Sequence, residues 1–175
     1  MKIDGHVERF MIRIGFHTVP ARSNKEDTLL RIDKGGLLIF KGEAHIGRGS
    51  RLYVASGGLL VLGDNFAISA SSTILCYKQI VFGKDIQFSW GCLVMDSDTH
   101  IIYSRSGELI NGNKIITFGN KVWIGCNSMI LKGSSIPSNC VIGANSLVSG
   151  GDLEENSIIV GNPARSIKKI GTWVI

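Results

Sequence analysis

A chain of 175 residues fits a single domain and is long enough to bury a core. With 44% hydrophobic and 19% charged residues, wholesale disorder is excluded. The formal net charge is +5, but no block of five Lys/Arg occurs and aromatics are only 7%, so the excess suits a small anionic ligand better than nucleic acid.

Glycine stands at 22, Ile, Val and Ser are plentiful, and Ala, Glu and Gln are sparse. That balance favours strands joined by tight turns. The four cysteines, Cys76, Cys92, Cys126 and Cys140, form no CxxC pair and have no histidine at zinc-finger spacing. They read as reduced packing residues of a cytosolic protein. The opening "MKIDGHVERF" has no apolar core, so no secretory signal is expected. No apolar run reaches the roughly 18 residues of a membrane span, and a cytoplasmic location is expected.

In chain order, residues 1–30 show no repeat and are expected to form a capping segment or an irregular coil. A six-residue beat begins with Ile46 and Leu52 and slips in phase at "GGLLVLG", residues 57–63. It then runs through Leu62, Ile68, Ile74, Ile80, Ile86 and Cys92. It breaks at residues 96–117 and resumes as FGNKVW, IGCNSM, ILKGSS, IPSNCV, IGANSL, VSGGDL. The lead positions there are Phe118, Ile124, Ile130, Ile136, Ile142 and Val148. Two places before them sit the small or β-branched residues Val122, Ser128, Ser134, Cys140 and Ser146.

A period of six is neither the 3.6 of a helix nor the 2 of a two-faced strand. It places one large aliphatic inward per short strand, with a turn after each. Three strands then make a triangular coil of about 18 residues, and stacked coils form a parallel β-helix. A β-sandwich would show period-2 alternation instead. The all-β β-helix domain is placed at residues 31–156. Residues 96–117 loop out of it, and a C-terminal tail, 157–175, leaves the repeat.

The segments "VWIGCNSMILKGSSIPSNCVIGANSLVSG" and "SIIVGNPARSIKKI", with a histidine in the inserted loop, resemble the hexapeptide-repeat acyltransferases. The likeness is to the branch that acetylates sugars: galactoside, maltose and capsular polysaccharide O-acetyltransferases. It spans about residues 59–170. It implies a left-handed β-helix, a homotrimer with active sites between subunits, and acetyl-CoA as acyl donor. It also implies direct transfer in a ternary complex, without an acyl-enzyme.

Acyl transfer from a thioester to a hydroxyl needs a base for the hydroxyl proton, and imidazole, with an ordinary value of about 6.5, suits neutral pH. His100, at the root of the inserted loop, matches the family's general base. His6, His17 and His45 are expected to be surface or packing residues. Asp96 and Asp98, in "MDSDTH", either orient the imidazole, contact the acceptor or cap their own turn. Trp90, on the strand leading in, either lines the acceptor cleft or packs at a corner.

By resemblance, Trp123 lies beside the histidine near the pantetheine arm, though a corner aromatic would read the same. Backbone amides around Gly125 and Cys126 are candidates for the cofactor or the developing oxyanion. Ala144 and Ser149 match positions that meet the pantetheine arm. The family's Val-Thr-Lys-Asp is Val148-Ser149-Gly150-Gly151-Asp152 here, so one lysine contact is missing. Arg165 and Lys168 (or Lys169) remain for the nucleotide phosphates.

The preferred acceptor is a saccharide hydroxyl, such as a capsular or lipopolysaccharide precursor. Serine acetyltransferases and sugar N-acetyltransferases with a Rossmann-type region fit less well, because this sequence shows neither N-terminal region. Relatives that modify aminoglycosides or streptogramins stay open. Two other readings are a non-catalytic β-helix for assembly or sugar binding and a γ-class carbonic anhydrase. The latter needs three metal-binding histidines, and the other histidines all precede the middle of the chain, so no metal is expected. Flat threonine ladders of ice-binding β-helices are absent.

Overall fold

The computed structural model describes residues 1–16 and 26–174; His17 lies outside the described residues. Short strands alternate among three faces. The first face contains β1 (Lys2–Ile3), β4 (Leu37–Phe40), β7 (Leu59–Leu62), β10 (Gln79–Phe82), β13 (Ile116–Phe118) and β16 (Ser135–Ile136). The second contains β2 (Ile12–Phe16), β5 (Ala44–Gly47), β8 (Phe66–Ala70), β11 (Ile86–Trp90), β14 (Val122–Ile124), β17 (Cys140–Ile142), β19 (Ser157–Gly161) and β20 (Ala164–Lys169). The third contains β3 (Leu29–Ile32), β6 (Arg51–Val54), β9 (Thr73–Cys76), β12 (Leu93–Met95), β15 (Met129–Leu131) and β18 (Leu147–Val148).

Consecutive strands never share a face until β19 and β20, and neighbours on a face run parallel, as in β11 with β14. This is the three-sided parallel β-helix that the six-residue beat predicts. Residues 1–30 supply β1, β2 and the start of β3, each paired with the next coil. At the far end β19 extends the second face and β20 folds back on it antiparallel. Among the described residues no helix is long and apolar enough to cross a membrane.

The coils are not all of the expected length. Leu37 stands opposite Leu59, Leu59 opposite Gln79, and Val122 opposite Cys140, which gives coils of 22, 20 and 18 residues. Only the later coils have the six-residue geometry, with a large and a small residue inward on each strand. Val122, Ser128, Ser134, Cys140 and Ser146 are buried there, beside Ile124, Ile130, Ile136, Ile142 and Val148.

The earlier coils turn two large side chains inward per strand, such as Leu60 with Leu62, Phe66 with Ile68 and Ile80 with Phe82. The reason is cross-section: a longer perimeter encloses more area, and side chains must fill it to crystal-like density. Phe66, Phe82 and Phe88 meet edge-on or tilted, with ring centroids 5.0–5.7 Å apart, and Phe82 stacks on Phe118 at 4.5 Å.

The extra residues of the earlier coils lie at the edge between the third and first faces. Residues 33–36 and 55–58 turn that corner; at the next level only 77–78 do. The phase slip near Gly57 is this corner. One level further on, the same edge carries residues 96–115, the interruption in the beat.

Candidate active site

The inserted loop leaves the column after β12 and returns at β13. Its outer part is a small hairpin: Tyr103 bridges Leu109, and Ile110 N–H donates to Ile102 O at 3.0 Å. Its inner part is knitted by one amide. Asn111 Oδ1 accepts from Ile102 N–H at 2.7 Å, while Nδ2 donates to His100 O at 2.8 Å and to Asp98 Oδ2 at 2.9 Å. Lys132, reaching over from the next coil, donates to Asp98 Oδ2 at 2.5 Å and to Asn111 O at 2.6 Å. The Lys132 hydrogen bond, then that of Asn111, holds the Asp98 carboxyl below the ordinary aspartate value.

His100 is exposed and opens onto a hollow of about 320 Å³ lined also by Tyr77, Thr99, Ile101, Leu109 and Asn113. Its Nδ1 lies 3.1 Å from Thr99 Oγ1. Thr99 has a positive φ of 62° and its N–H donates to Ser97 Oγ at 3.0 Å. A β-branched residue is a genuine outlier in that region. The histidine is thus mounted on a tightly tied turn.

Asp96 and Asp98 flank His100 in sequence but do other work. Asp96, expected as an acceptor contact, is instead fully buried at 0% exposure. Its carboxylate accepts the N–H groups of Tyr77, Lys78 and Gln79 at 2.7, 2.8 and 2.7 Å. At this level the insertion has carried the backbone away, so no carbonyl of the next coil covers those three donors. Buried N–H groups must be paired, and the carboxylate supplies the acceptors. Asp98 is engaged by Lys132 and Asn111 rather than by the imidazole.

The other candidates lie elsewhere. Trp90 ends β11 at the edge between the second and third faces. It is separated from Asp96 by the length of β12, roughly 10 Å at about 3.3 Å per residue. It does not line the histidine's hollow. Cys126 and Ala144 follow along the same second–third edge. There Asn127 N–H donates to Trp90 O and Asn145 N–H to Cys126 O, each at 2.9 Å. The Gly125 amide, expected as a cofactor or oxyanion donor, is already given to Ile142 O at 2.8 Å by the coil-to-coil ladder.

Trp123 points outward from the second face and is 43% exposed. It donates to Ser89 Oγ at 3.2 Å and lies 6.3 Å, ring to ring, from Trp173. It lines a separate hollow of about 230 Å³ with Gln87, Ser89 and Trp173 rather than the one at His100. Ser149 and Arg165 come together at the far end. With Gly150, Gly151 and Asp152 they line a hollow of about 510 Å³. A guanidinium beside glycine backbone is chemistry that fits a phosphate. Lys168 is exposed on β20, whereas Lys169 is paired with Glu154 at 2.7 Å.

Sequence reasoning missed Thr99, Asn111 and Lys132. Thr99 had a signal, its place directly before the histidine. Lys132 had none, since its partner is 34 residues away.

No family profile matches the chain. Individual proteins do. The chain is 29% identical over 133 residues to the provisionally named lipopolysaccharide biosynthesis O-acetyl transferase WbbJ of Escherichia coli K12. That match covers 70% of this chain and 67% of WbbJ. It is 31% identical over 121 residues to the galactoside O-acetyltransferase of the same organism, covering 68% of this chain and 58% of that one. The crystal structure of the polySia-specific acetyltransferase NeuO superposes with a TM-score of 0.70, at 23% identity over 99% of this chain and 85% of NeuO. A galactoside acetyltransferase solved with coenzyme A gives 0.53, at 22% identity over 82% and 66% of the two chains.

The chain is thus similar in sequence to O-acetyltransferases over about two thirds of its length and shares its fold with solved acetyltransferases. Its column is accordingly a left-handed parallel β-helix. The handedness runs against the usual rule for parallel crossovers and could not have come from periodicity. This hexapeptide-repeat chain spans about two thirds of WbbJ and somewhat less of the galactoside enzyme.

Proposed function

We propose that the chain is an O-acetyltransferase that moves an acetyl group from acetyl-CoA to a hydroxyl of a saccharide, with His100 as the general base. The observation that carries the reading is the histidine's setting: an exposed imidazole, tied at Nδ1, opening onto a hollow of about 320 Å³ on a rigid column. Function sits on loops held by stiff scaffolds for this reason. A base is effective only when its nitrogen is held within hydrogen-bond reach of the proton it takes, and such help is worth about 10²–10⁴ in rate. The relatives' names support a sugar acceptor.

Acetyl-CoA supplies an activated thioester when bound. Arg165, with Lys168 beyond it on β20, would hold the phosphates at the far end of the column. The second–third edge with Cys126 and Ala144 would take the pantetheine arm. The acceptor hydroxyl sits in the histidine's hollow and gives its proton to Nε2 as its oxygen attacks the acetyl carbonyl. The carbon–sulfur bond breaks, and the imidazolium returns the proton to the departing thiolate. Holding both reactants side by side supplies the remainder of the rate enhancement.

The candidate groups are split between two edges of one prism, with the whole third face between them. On this placement the base and the donor groove of one chain lie apart, and a neighbouring copy set against it would bring the two together. This division supports the homotrimer with active sites between subunits. The inserted loop also carries Ile101, Tyr103, Leu109 and Ile110 more than half exposed. An apolar surface of that kind marks an interaction site.

The test is an assay of thiol release from acetyl-CoA with candidate saccharides. His100→Ala is expected to lower turnover about 10²-fold or more, with the oligomer intact by sedimentation. Near-normal turnover in that variant overturns the assignment of the base.

A further inference from the structure

We propose that Thr99 is a positioning residue whose hydroxyl fixes the tautomer of His100, holding the ring proton on Nδ1 and leaving Nε2 as the base. The inference rests on the proposed role of His100 but is argued from geometry alone. Thr99 Oγ1 has two close partners. It lies 2.6 Å from Asp98 O and 3.1 Å from His100 Nδ1. A hydroxyl has one proton to donate, and a backbone carbonyl can only accept. The short contact to Asp98 O therefore consumes the hydroxyl proton. Toward the imidazole Thr99 can then only accept, so Nδ1 must carry the hydrogen. In a neutral imidazole the other nitrogen is then the acceptor.

The arrangement also serves the protonated ring. An imidazolium donates from both nitrogens, so Nδ1–H keeps the same acceptor before and after Nε2 takes a proton. Nothing at the turn has to rearrange during the transfer, which is the advantage of a preorganised site.

The backbone supplies a second, independent observation. Thr99 sits at φ +62°, where glycine or asparagine would be relaxed and a β-branched residue is strained. Ser97 Oγ, nearly fully buried, takes the Thr99 N–H and holds the turn in that conformation. A turn that required only this conformation would be better served by glycine or asparagine. A hydroxyl needed at that point accounts for the threonine.

The experiment combines nitrogen NMR of the intact protein labelled with ¹⁵N in the imidazole rings with steady-state kinetics. The His100 signals are identified by their loss in His100→Gln. Spectra are taken near pH 8, above the ordinary imidazole value of about 6.5. The wild type is expected to show a protonated Nδ1 and an unprotonated Nε2. Thr99→Val should mix the tautomers and lower kcat about tenfold, with KM for both substrates within twofold. Thr99→Ser should restore both. Thr99→Gly relaxes the backbone, yet it should behave like Thr99→Val because it lacks the hydroxyl.

A wild-type ring protonated on Nε2, or an unchanged tautomer in Thr99→Val, overturns the proposal. So does an unchanged tautomer in Thr99→Gly. A fully active His100→Ala enzyme would remove the catalytic reading while leaving the tautomer assignment standing, so the two failures are distinguishable.

Discussion

At the residue scale, the inserted loop shows how few side chains are needed to mount one exposed histidine. Asp98, Asn111 and Lys132 form a clamp around the turn that bears His100. The Asp98 carboxyl is held below its ordinary value, chiefly by the Lys132 hydrogen bond. The sign follows from that direction. The clamp's contribution is complete above the unfolded aspartate value of about 3.9 and is lost as pH falls through the lower folded value. Hydrogen exchange at Ile102 and Ile110 should therefore stay slow down to about pH 4 and quicken below it. Lys132→Met should give the fast exchange already at neutral pH, and unchanged exchange there would count against the clamp. His100 was legible because a histidine at a break in a repeat stands out. Its supports were not, because hydrogen bonds from residues 11 and 34 positions away leave no periodic mark.

At the element scale, the period announced the strands but not how they are stacked. The beat in the later half matches coils of 18 residues, as Val122 opposite Cys140 demonstrates. In the earlier half the same beat hides coils of 22 and 20 residues, because each strand has two inward positions and the corners absorb the difference. Large aromatics are the visible consequence. Corners are tight where coils meet. A Cβ added at Gly83 would lie 2.4 Å from Gly119 O, a contact with backbone that cannot swing aside. Gly83→Ala should destabilise by about 1–3 kcal/mol in denaturant unfolding. Gly171, which has open space around its Cα, should tolerate alanine within about 0.5 kcal/mol. Equal effects at the two positions would refute the stacking argument. Asp96 belongs to this scale as well: its carboxylate replaces the carbonyls that the insertion carried away.

At the scale of the whole molecule, the proposed site is divided. His100, the proposed base, stands on the third–first edge and the candidate donor groove on the second–third edge. If neighbouring copies complete each other, two inactive variants should complement. His100→Ala spoils one edge, and Ala144→Trp fills the other. Mixed oligomers made by co-expression should regain a substantial fraction of wild-type thiol release, while each variant alone stays inactive. No recovery would mean that one chain holds the complete site. By itself the sequence determined the class of fold, the place of its interruption and the histidine at its root. Each of these is a local pattern, written by which side chains face inward and where that pattern stops. Only the tertiary structure decided that Asp96 is a buried cap, that the Gly125 amide is spent on the ladder, and that Trp123 lies apart from His100. Those facts depend on which coil lies over which, and that follows from corner lengths and a winding hand to which a one-dimensional period is blind.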